Sequence, residues 1–387
     1  MKSRIAYLCA DPGIPPDSSK GASVHFRSMA AAMAHAGADL DVLMTRAGSV
    51  EPFAPHRARV LPTPRAPGIA GEVLQLAHSA AVFAALQESG PHTAVYERLS
   101  LFSGGGLAYA RHNNLPYVVE VNAPLWVEAK QFRSLHLAAT AEALCLDTLR
   151  GADAVFAVSA ELAKLLVAAS APQERVHVLG NGAHVDAFAT AAPMPRPAAL
   201  QGKPVILFVG SLKPWHGIGF LLDAFTALRK QVACGLWIVG DGPARDEVEA
   251  RVAEMPDDIV YEGPVEHETM GSYLAAADAV CAPYPAAAPG YFSPLKVVEG
   301  LAARRPLIGS KVPCVLGELG GEDLPGLFDA DSIDGFVAAA KRVFANPRAA
   351  LASERLVQGL DWKHKARIVL PWLQPAPTTA EEPRAKA

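Results

Sequence analysis

Residues 291–305 (YFSPLKVVEGLAARR) place a run of chemically useful side chains at the start of a helix. Ser293 suits an N-cap, and Pro294 suits the first helical position, where its missing N–H costs nothing. Unpaired amides in that first turn, with the positive end of the helix dipole, form an anion site. Lys296 adds a cation there. Glu299, three residues on, shares its helix face and can form an (i, i+3) pair with it. Amides and ammonium suit a phosphate, and the carboxylate suits sugar hydroxyls.

Three more Gly-containing loops share this character. Lys20-Gly21-Ala22-Ser23-Val24-His25 enters a helix with small residues that let a ligand approach the backbone. Gly210-Ser211-Leu212-Lys213-Pro214-Trp215-His216-Gly217 offers Lys213 and His216 as donors to an anion. Val239-Gly240-Asp241-Gly242-Pro243 ends a strand in a turn that permits close backbone approach. Other chemistries find no support. There is no GxSxG nucleophile elbow, no GxxxxGK[ST] loop, and no GxGxxG after the first strand.

The elements that must hold these loops alternate short apolar strands with Ala-rich helices, which argues for parallel α/β architecture. Ligands in such sheets bind outside the carboxyl ends of the strands. In the first half, strands are expected at Arg4–Cys9, Leu40–Met44, Ala94–Tyr96, Tyr117–Val121, Ala154–Val158 and Val176–Leu179. Helices are expected over about 23–36, 72–88, 102–112 and, as one long stretch, 126–150, with His56–Gly68 as a Pro- and Arg-rich loop. The second half repeats the scheme from Val205–Gly210 onward. The division is an N-terminal unit 1–190, a Pro/Ala-rich linker 191–204 and a second unit 205–359. A helix over 360–374 follows, then a polar tail 375–387 expected to be disordered.

Composition narrows the partners. The chain is 51% hydrophobic and 19% charged, with 35 basic and 39 acidic residues, a balance that argues against nucleic acid. Five scattered cysteines form no CxxC and favour a reducing, cytoplasmic setting. The first apolar run is too short for a signal peptide core. The 56–68 loop leaves weak peripheral membrane contact open, and the oligomeric state is unread.

In order and spacing these pieces resemble the retaining, nucleotide-sugar-dependent glycosyltransferases of family 4, which have the GT-B fold: two Rossmann-like α/β/α domains facing each other across a cleft. Gly21-Ala22 matches the N-terminal Gly-Gly loop. Val158-Ser159 and Asn181-Gly182 match the "VS…NGV" end of the first domain. Phe208-Val209-Gly210 and Val239–Pro243 match "FVGR" and "VGDGP", and Ala275–Asp278 matches an "AAD" helix end. Tyr291–Glu299 falls on the E-x7-E element, and the closing helix is one that crosses back to the first domain in this fold. The segments Ser-Pro-Leu-Lys at 293–296 and Lys-Pro-Trp-His-Gly at 213–217 mark a branch of that family. Tyr291 replaces the first Glu of E-x7-E, Ser211 the usual Arg, His216 the usual Lys, and Asn122 the usual His.

The resemblance implies a nucleoside-diphosphate sugar as donor, a hydroxyl acceptor of unread identity, retention at the transferred sugar, and no metal or other cofactor. Where the usual Arg and Lys are missing, the charge is expected to be relocated rather than lost, so that catalysis falls to Lys213, His216, Lys296 and Glu299, the cations stabilising the leaving diphosphate. Donor contacts fall to Gly210, Ser211, Lys213, His216, Gly242, Val265, Tyr291, Ser293, Pro294, Leu295, Lys296 and Glu299. Acceptor contacts fall to Gly21, Ala22, His25, Arg98, Glu120 and Asn122. Base selection is expected near Gly263–Val265 and Lys213–Trp215. Rival readings are a GT-B sugar-nucleotide epimerase and a non-catalytic sugar-nucleotide-binding subunit.

Overall fold

The computed structural model describes residues 3–18 and 20–374, so the 375–387 tail lies outside the described residues. Thirteen strands form two all-parallel sheets among these residues. The first sheet holds β1 (Arg4–Cys9), β2 (Asp39–Met44), β3 (Arg57–Val60), β4 (Ala94–Arg98), β5 (Tyr117–Val121), β6 (Ala154–Ala157) and β7 (Val176–Val178), in the order β3-β2-β1-β4-β5-β6-β7. The second holds β8 (Val205–Val209), β9 (Gly235–Val239), β10 (Ile259–Gly263), β11 (Ala279–Ala282), β12 (Leu307–Ser310) and β13 (Leu327–Phe328), in the order β10-β9-β8-β11-β12-β13.

Both orders reverse direction beside their first strand, between β1 and β4 and between β8 and β11. A reversal leaves a crevice at the strand ends, because neighbouring crossovers there run to opposite faces of the sheet. The strands are near-continuous apolar runs, as burial on both faces requires. Each sheet is packed between two buried clusters, one around Val95, Leu107 and Leu149 with its counterpart around Tyr7, Phe26 and Met33. The second sheet is held by Trp237, Val297 and Leu301 on one face and Ile206, Phe225 and Phe336 on the other.

The last helix, Trp362–Val369, packs on the first unit although the chain has already passed through the second. Trp362, Ala366, Val369 and Leu373 complete the Tyr7–Phe26 cluster. The return is pinned by paired backbone bonds: Ala183 N–H donates to Leu360 O, and Trp362 N–H donates to Ala183 O.

The structure corrects several boundaries. Residues 126–150 are not one helix but two, Leu125–Phe132 and Ala138–Gly151. The turn between them is held by Glu72, whose carboxylate accepts the amides of His136 and Leu137. Such a long-range tether leaves no trace in helical periodicity. The 56–68 segment contains the edge strand β3, paired with β2. Its alternating arginines are typical of an edge exposed to water and masked it as loop. The helix expected from 102 starts at Gly105, because Phe102 has φ +59° and cannot continue a right-handed helix.

Candidate active site

The two crevices face one another across a cleft of about 810 Å³. Helix Gly21–His35 and helix Leu295–Ala302 point their N-termini into it from opposite units, so Gly21 and Leu295 nearly touch. A Cβ on Gly21 would lie 2.8 Å from Leu295 Cδ1, so a larger residue there would have to push the leucine tip aside.

Lys296 dominates the second unit's wall. It is 6% exposed, and its Nζ has no hydrogen-bond partner. The ammonium sits 3.9 Å from the centre of the Phe208 ring and 5.2 Å from that of Tyr284. These aromatic faces attract a cation but do not replace its water. Burial therefore draws the Lys296 pKa down to about 7. Its terminal atoms lie beneath Gly210, where a Cβ would come within 3.4 Å of Nζ.

The cap differs from the sequence expectation. Helix 295–302 begins one residue later, with Pro294 as N-cap and no side-chain cap bond. Ser293 instead faces the first unit: its Oγ accepts the Asn181 N–H at 2.9 Å, and its carbonyl accepts from Asn181 Nδ2 at 2.7 Å. The Val297 and Val298 amides bond to Pro294 O, so those of Leu295 and Lys296 have no partner within the helix.

The expected Lys296–Glu299 pair is also replaced. Glu299 Oε1 accepts from His267 Nε2 at 2.7 Å. Burial alone would lower the His267 pKa, but the Glu299 bond and charge and nearby Glu268 carry it upward. His267, in the short turn after β10, is a functional candidate that the sequence reading missed. The signal was its place just beyond a strand end, in the Glu266-His267-Glu268 run.

His216 does not bring the expected charge. Its Nδ1–H donates to Ser211 O at 2.6 Å, which leaves Nε2 as an acceptor. Burial, then the charges of Lys296 and Lys213, push its pKa down to about 3 against the raising effect of the Ser211 bond. The imidazole is neutral near pH 7. Lys213 is exposed at the cleft mouth, with Nζ 4.9 Å from the Trp215 ring centre. Val265 joins Val239, Asp241 and Pro264 along the same wall.

Gly210 and Gly240 shape the floor with φ +132° and +130°. A Cβ on Gly240 would lie 1.9 Å from Gly210 O, a backbone atom that cannot rotate away. Gly240→Ala is expected to destabilise the second unit by at least about 1–3 kcal/mol, the usual scale of such backbone strain alone. An unchanged urea midpoint would refute that. Gly242 lies outside the cleft lining; a Cβ there would meet Leu212 N at 2.7 Å, so it serves loop packing.

On the first unit's wall, His25 Nδ1–H donates to Asn181 Oδ1 at 2.6 Å. Its Nε2 lies 2.7 Å from Glu120 Oε1, an ion-pair contact more than an aligned hydrogen bond. Arg98 Nη1 reaches the same carboxylate at 3.2 Å, and Tyr96 Oη donates to Oε2 at 2.6 Å. Burial would raise the Glu120 pKa, but His25, Arg98 and Tyr96 overcome it and hold the carboxyl at about 2. Glu120 is thus saturated and set behind the cleft surface, a correction to its expected place among the acceptor contacts. Lys20, Gly21, Ala22, His25, Arg98 and Asn122 do line the cleft. Asn122 Oδ1 is buried and has no hydrogen-bond partner.

Tyr291 departs furthest from expectation. It is absent from the cleft lining and belongs to an interdomain strap. Its hydroxyl donates to Glu128 Oε1 at 2.8 Å, and its carbonyl accepts from Ser159 Oγ at 2.6 Å. Asn181, of the Asn181-Gly182 motif, bridges His25 to Ser293 across the same junction.

Two facing Rossmann-like units with ligand-binding strand ends turned inward define a GT-B protein. Comparison with known proteins agrees. A "Glycosyl transferase 4-like domain" model matches residues 20–182, and a "Glycosyl transferases group 1" model matches 203–346. The chain belongs to this family of GT-B glycosyltransferases. It is 28% identical over 147 residues to a glycosyltransferase of Bacillus subtilis (strain 168) named for teichuronic acid biosynthesis, a match covering 37% of this chain and 36% of that one. It is 28% identical over 152 residues to the alpha-D-kanosaminyltransferase of Streptomyces kanamyceticus, covering 37% and 38%. The matched segments thus span under two-fifths of these relatives. Among solved structures, Anabaena HepE in complex with UDP superposes with a TM-score of 0.68 at 15% identity, covering 96% of this chain and 99% of that one.

Proposed function

We propose that the protein is a retaining glycosyltransferase that moves a sugar from a nucleoside-diphosphate sugar to an acceptor hydroxyl. The observation that carries this reading is the unpaired, buried Lys296 ammonium beside the partnerless amides of Leu295 and Lys296. A buried cation without an anion is unstable by itself and is explained by an anionic ligand. The donor diphosphate fills that role, with Lys213 closing over it from the cleft mouth. Glu299, oriented by His267, takes a ribose hydroxyl on its remaining oxygen.

In the transfer, the bond from the sugar's anomeric carbon to the diphosphate breaks, and a bond to the acceptor oxygen forms on the same face. The acceptor's proton passes to the departing diphosphate oxygen. Lys296 and the helix amides stabilise the charge that develops there. Asn122 Oδ1 supplies a fixed acceptor for an incoming hydroxyl.

Thermal melts with UDP-, GDP-, TDP- and ADP-sugars test donor binding, since a ligand of the native state raises the midpoint. The UDP complex of HepE makes UDP-sugars the first choice. Glu299→Ala is expected to weaken the productive donor by about tenfold or more, the loss of one or two charge-assisted hydrogen bonds. No midpoint shift with any donor, or an unchanged affinity in Glu299→Ala, would overturn the reading.

A further inference from the structure

Relative motion is the default for two units joined by a linker, so their separation needs a fixing contact. The chain leaves the first unit after Ala183 and returns to it at Trp362. Backbone bonds between Ala183 and both Leu360 and Trp362 pin these crossings together, which makes that point the hinge. Three contacts then tie segment 290–294 of the second unit to the first. Asn181 follows β7 and holds Ser293. Ser159 follows β6, and its Oγ donates to Tyr291 O at 2.6 Å. Glu128, on the helix that follows β5, accepts the Tyr291 hydroxyl at 2.8 Å. Strands β5, β6 and β7 are neighbours in that order, so the contacts step away from the hinge by about 4.8 Å per strand. Asn181 stands beside the hinge and moves little when the units part. The Tyr291–Glu128 bond has the longest lever, so opening must break it.

Tyr291 is built as an anchor. Its half-buried ring packs on the first unit's apolar cluster, which includes Val158 and Leu162. Burial, then the Glu128 bond and charge, raise its pKa and keep the hydroxyl a donor. Ser159 Oγ also accepts the Leu162 amide as N-cap of helix Ala160–Ala168, so it too is fixed to the first unit. The strap has little slack behind it: a Cβ on Gly290 would lie 3.2 Å from Pro313 Cβ. What the anchor joins is the cleft itself. On one side the Glu128 helix continues from the turn that carries Asn122, whose partnerless Oδ1 belongs to the cleft wall. On the other, Tyr291 leads through Ser293 into the Leu295–Lys296 turn.

We infer that Tyr291 is a positioning residue, whose ring and hydroxyl, seated on the first unit and Glu128, hold the Lys296 turn at a fixed distance from the Asn122 wall. This deepens the proposed transfer and rests on it. Tyr291 is not part of the cleft lining and acts through placement alone. Placement has a large lever on rate, since a shift of about 1 Å between reacting groups costs up to about 100-fold. Tyrosine at the head of the E-x7-E element thus serves the junction between the units.

Small-angle scattering of the unliganded full chain tests this, with release of UDP from UDP-glucose to water as a second readout. Y291A, which loses ring and hydroxyl, is expected to have a larger radius of gyration than the wild type. Y291F, which keeps the ring, is expected to fall between them. In turnover, Y291F is expected to lose about tenfold in kcat, the effect of one charge-assisted hydrogen bond, with KM for UDP-glucose within about twofold. E128Q keeps an acceptor oxygen for the hydroxyl and is expected to recover most of the kcat lost in E128A. Y291F/E128A is expected to be no slower than E128A, because the two side chains act as one pair. Cooperative melting shows that the variants are folded. Wild-type scattering in Y291A would overturn the inference. So would losses in Y291F and E128A that multiply in the double variant, or a tenfold rise in KM for Y291F, which would make Tyr291 a donor contact. Scattering needs neither donor nor transfer, so it decides the latch whether or not the proposed reaction holds, and the donor melts decide that reaction independently of Tyr291.

Discussion

Lys296→Met is expected to make the unliganded protein more stable and to weaken productive donor binding. The lysine sits among Phe208, Tyr284 and Gly210 with its ammonium unpaired, and methionine fills similar space without a charge to bury. The stability gain has a definite pH dependence. The Lys296 pKa falls from an ordinary 10.5 to about 7 in the folded chain. Below pH 7 both folded and unfolded lysine are charged, and the folded state bears the full burial penalty. Between about 7 and 10 the native lysine is already neutral while the unfolded one keeps its proton, so wild-type stability rises with pH. The advantage of Lys296→Met is therefore largest below pH 7 and fades toward pH 10. Denaturant melts at pH 6 and pH 9 measure it, and an equal advantage at both would contradict the assignment.

The same lysine ties donor binding to protons. A bound diphosphate favours the ammonium, so binding above pH 7 must draw a proton onto Lys296, and donor affinity should fall as pH rises through that value. An intact nucleotide sugar is the right probe, because free nucleotides carry a terminal phosphate that titrates nearby. Calorimetry in buffers of different ionisation enthalpy would register the uptake. A pH-independent affinity between 6 and 9 would place the diphosphate elsewhere. For Lys296→Met, turnover is expected to drop by about 100- to 1000-fold, the scale seen when one preorganised stabiliser of a developing anion is removed.

How far the sequence exposes this site depends on whether a residue's role is local. Lys296 and Glu299 were legible because helix spacing and strand-end position fix both relative to the Leu295 turn. Their partners were not. The spacing favours a Lys296–Glu299 pair, but Glu299 is taken by His267, 32 residues away in sequence, and Lys296 is left alone. Ser293 reads as a cap, yet a stronger pair of bonds from Asn181 across the unit junction claims it. Tyr291 follows the same rule: its hydroxyl reaches Glu128 in the other unit, a contact set by how the units meet. The parallel sheets were legible from apolar runs, whereas β3 was hidden because an edge strand with alternating arginines looks like solvated loop. The helix expected over about 72–88 runs Gly68–Ser89, and the exposure of its Ile69 and Val73 follows from packing.

Glu120 carries the other large effect, on stability. Its carboxylate, 2% exposed, takes Arg98, His25 and Tyr96 together. Glu120→Ala leaves Arg98 and His25 without their anion and removes the acceptor for the buried Tyr96 hydroxyl. Breaking a buried pair in this way costs about 3–5 kcal/mol, because an uncompensated charge remains. Glu120→Gln keeps an acceptor for Tyr96 and is expected to cost less. The linkage runs opposite to that of Lys296. The Glu120 pKa is held at about 2 in the folded protein against an ordinary 4.5. The ion pairs therefore contribute their full stability above pH 4.5, and that contribution is lost as pH falls toward 2. At one pKa unit per 1.36 kcal/mol the difference is about 3 kcal/mol. Wild type and Glu120→Gln should then differ most near neutral pH and converge in acid. Curves that stay parallel from pH 7 to pH 3 would remove Glu120 as the charge that fixes His25 and Arg98 on the cleft wall.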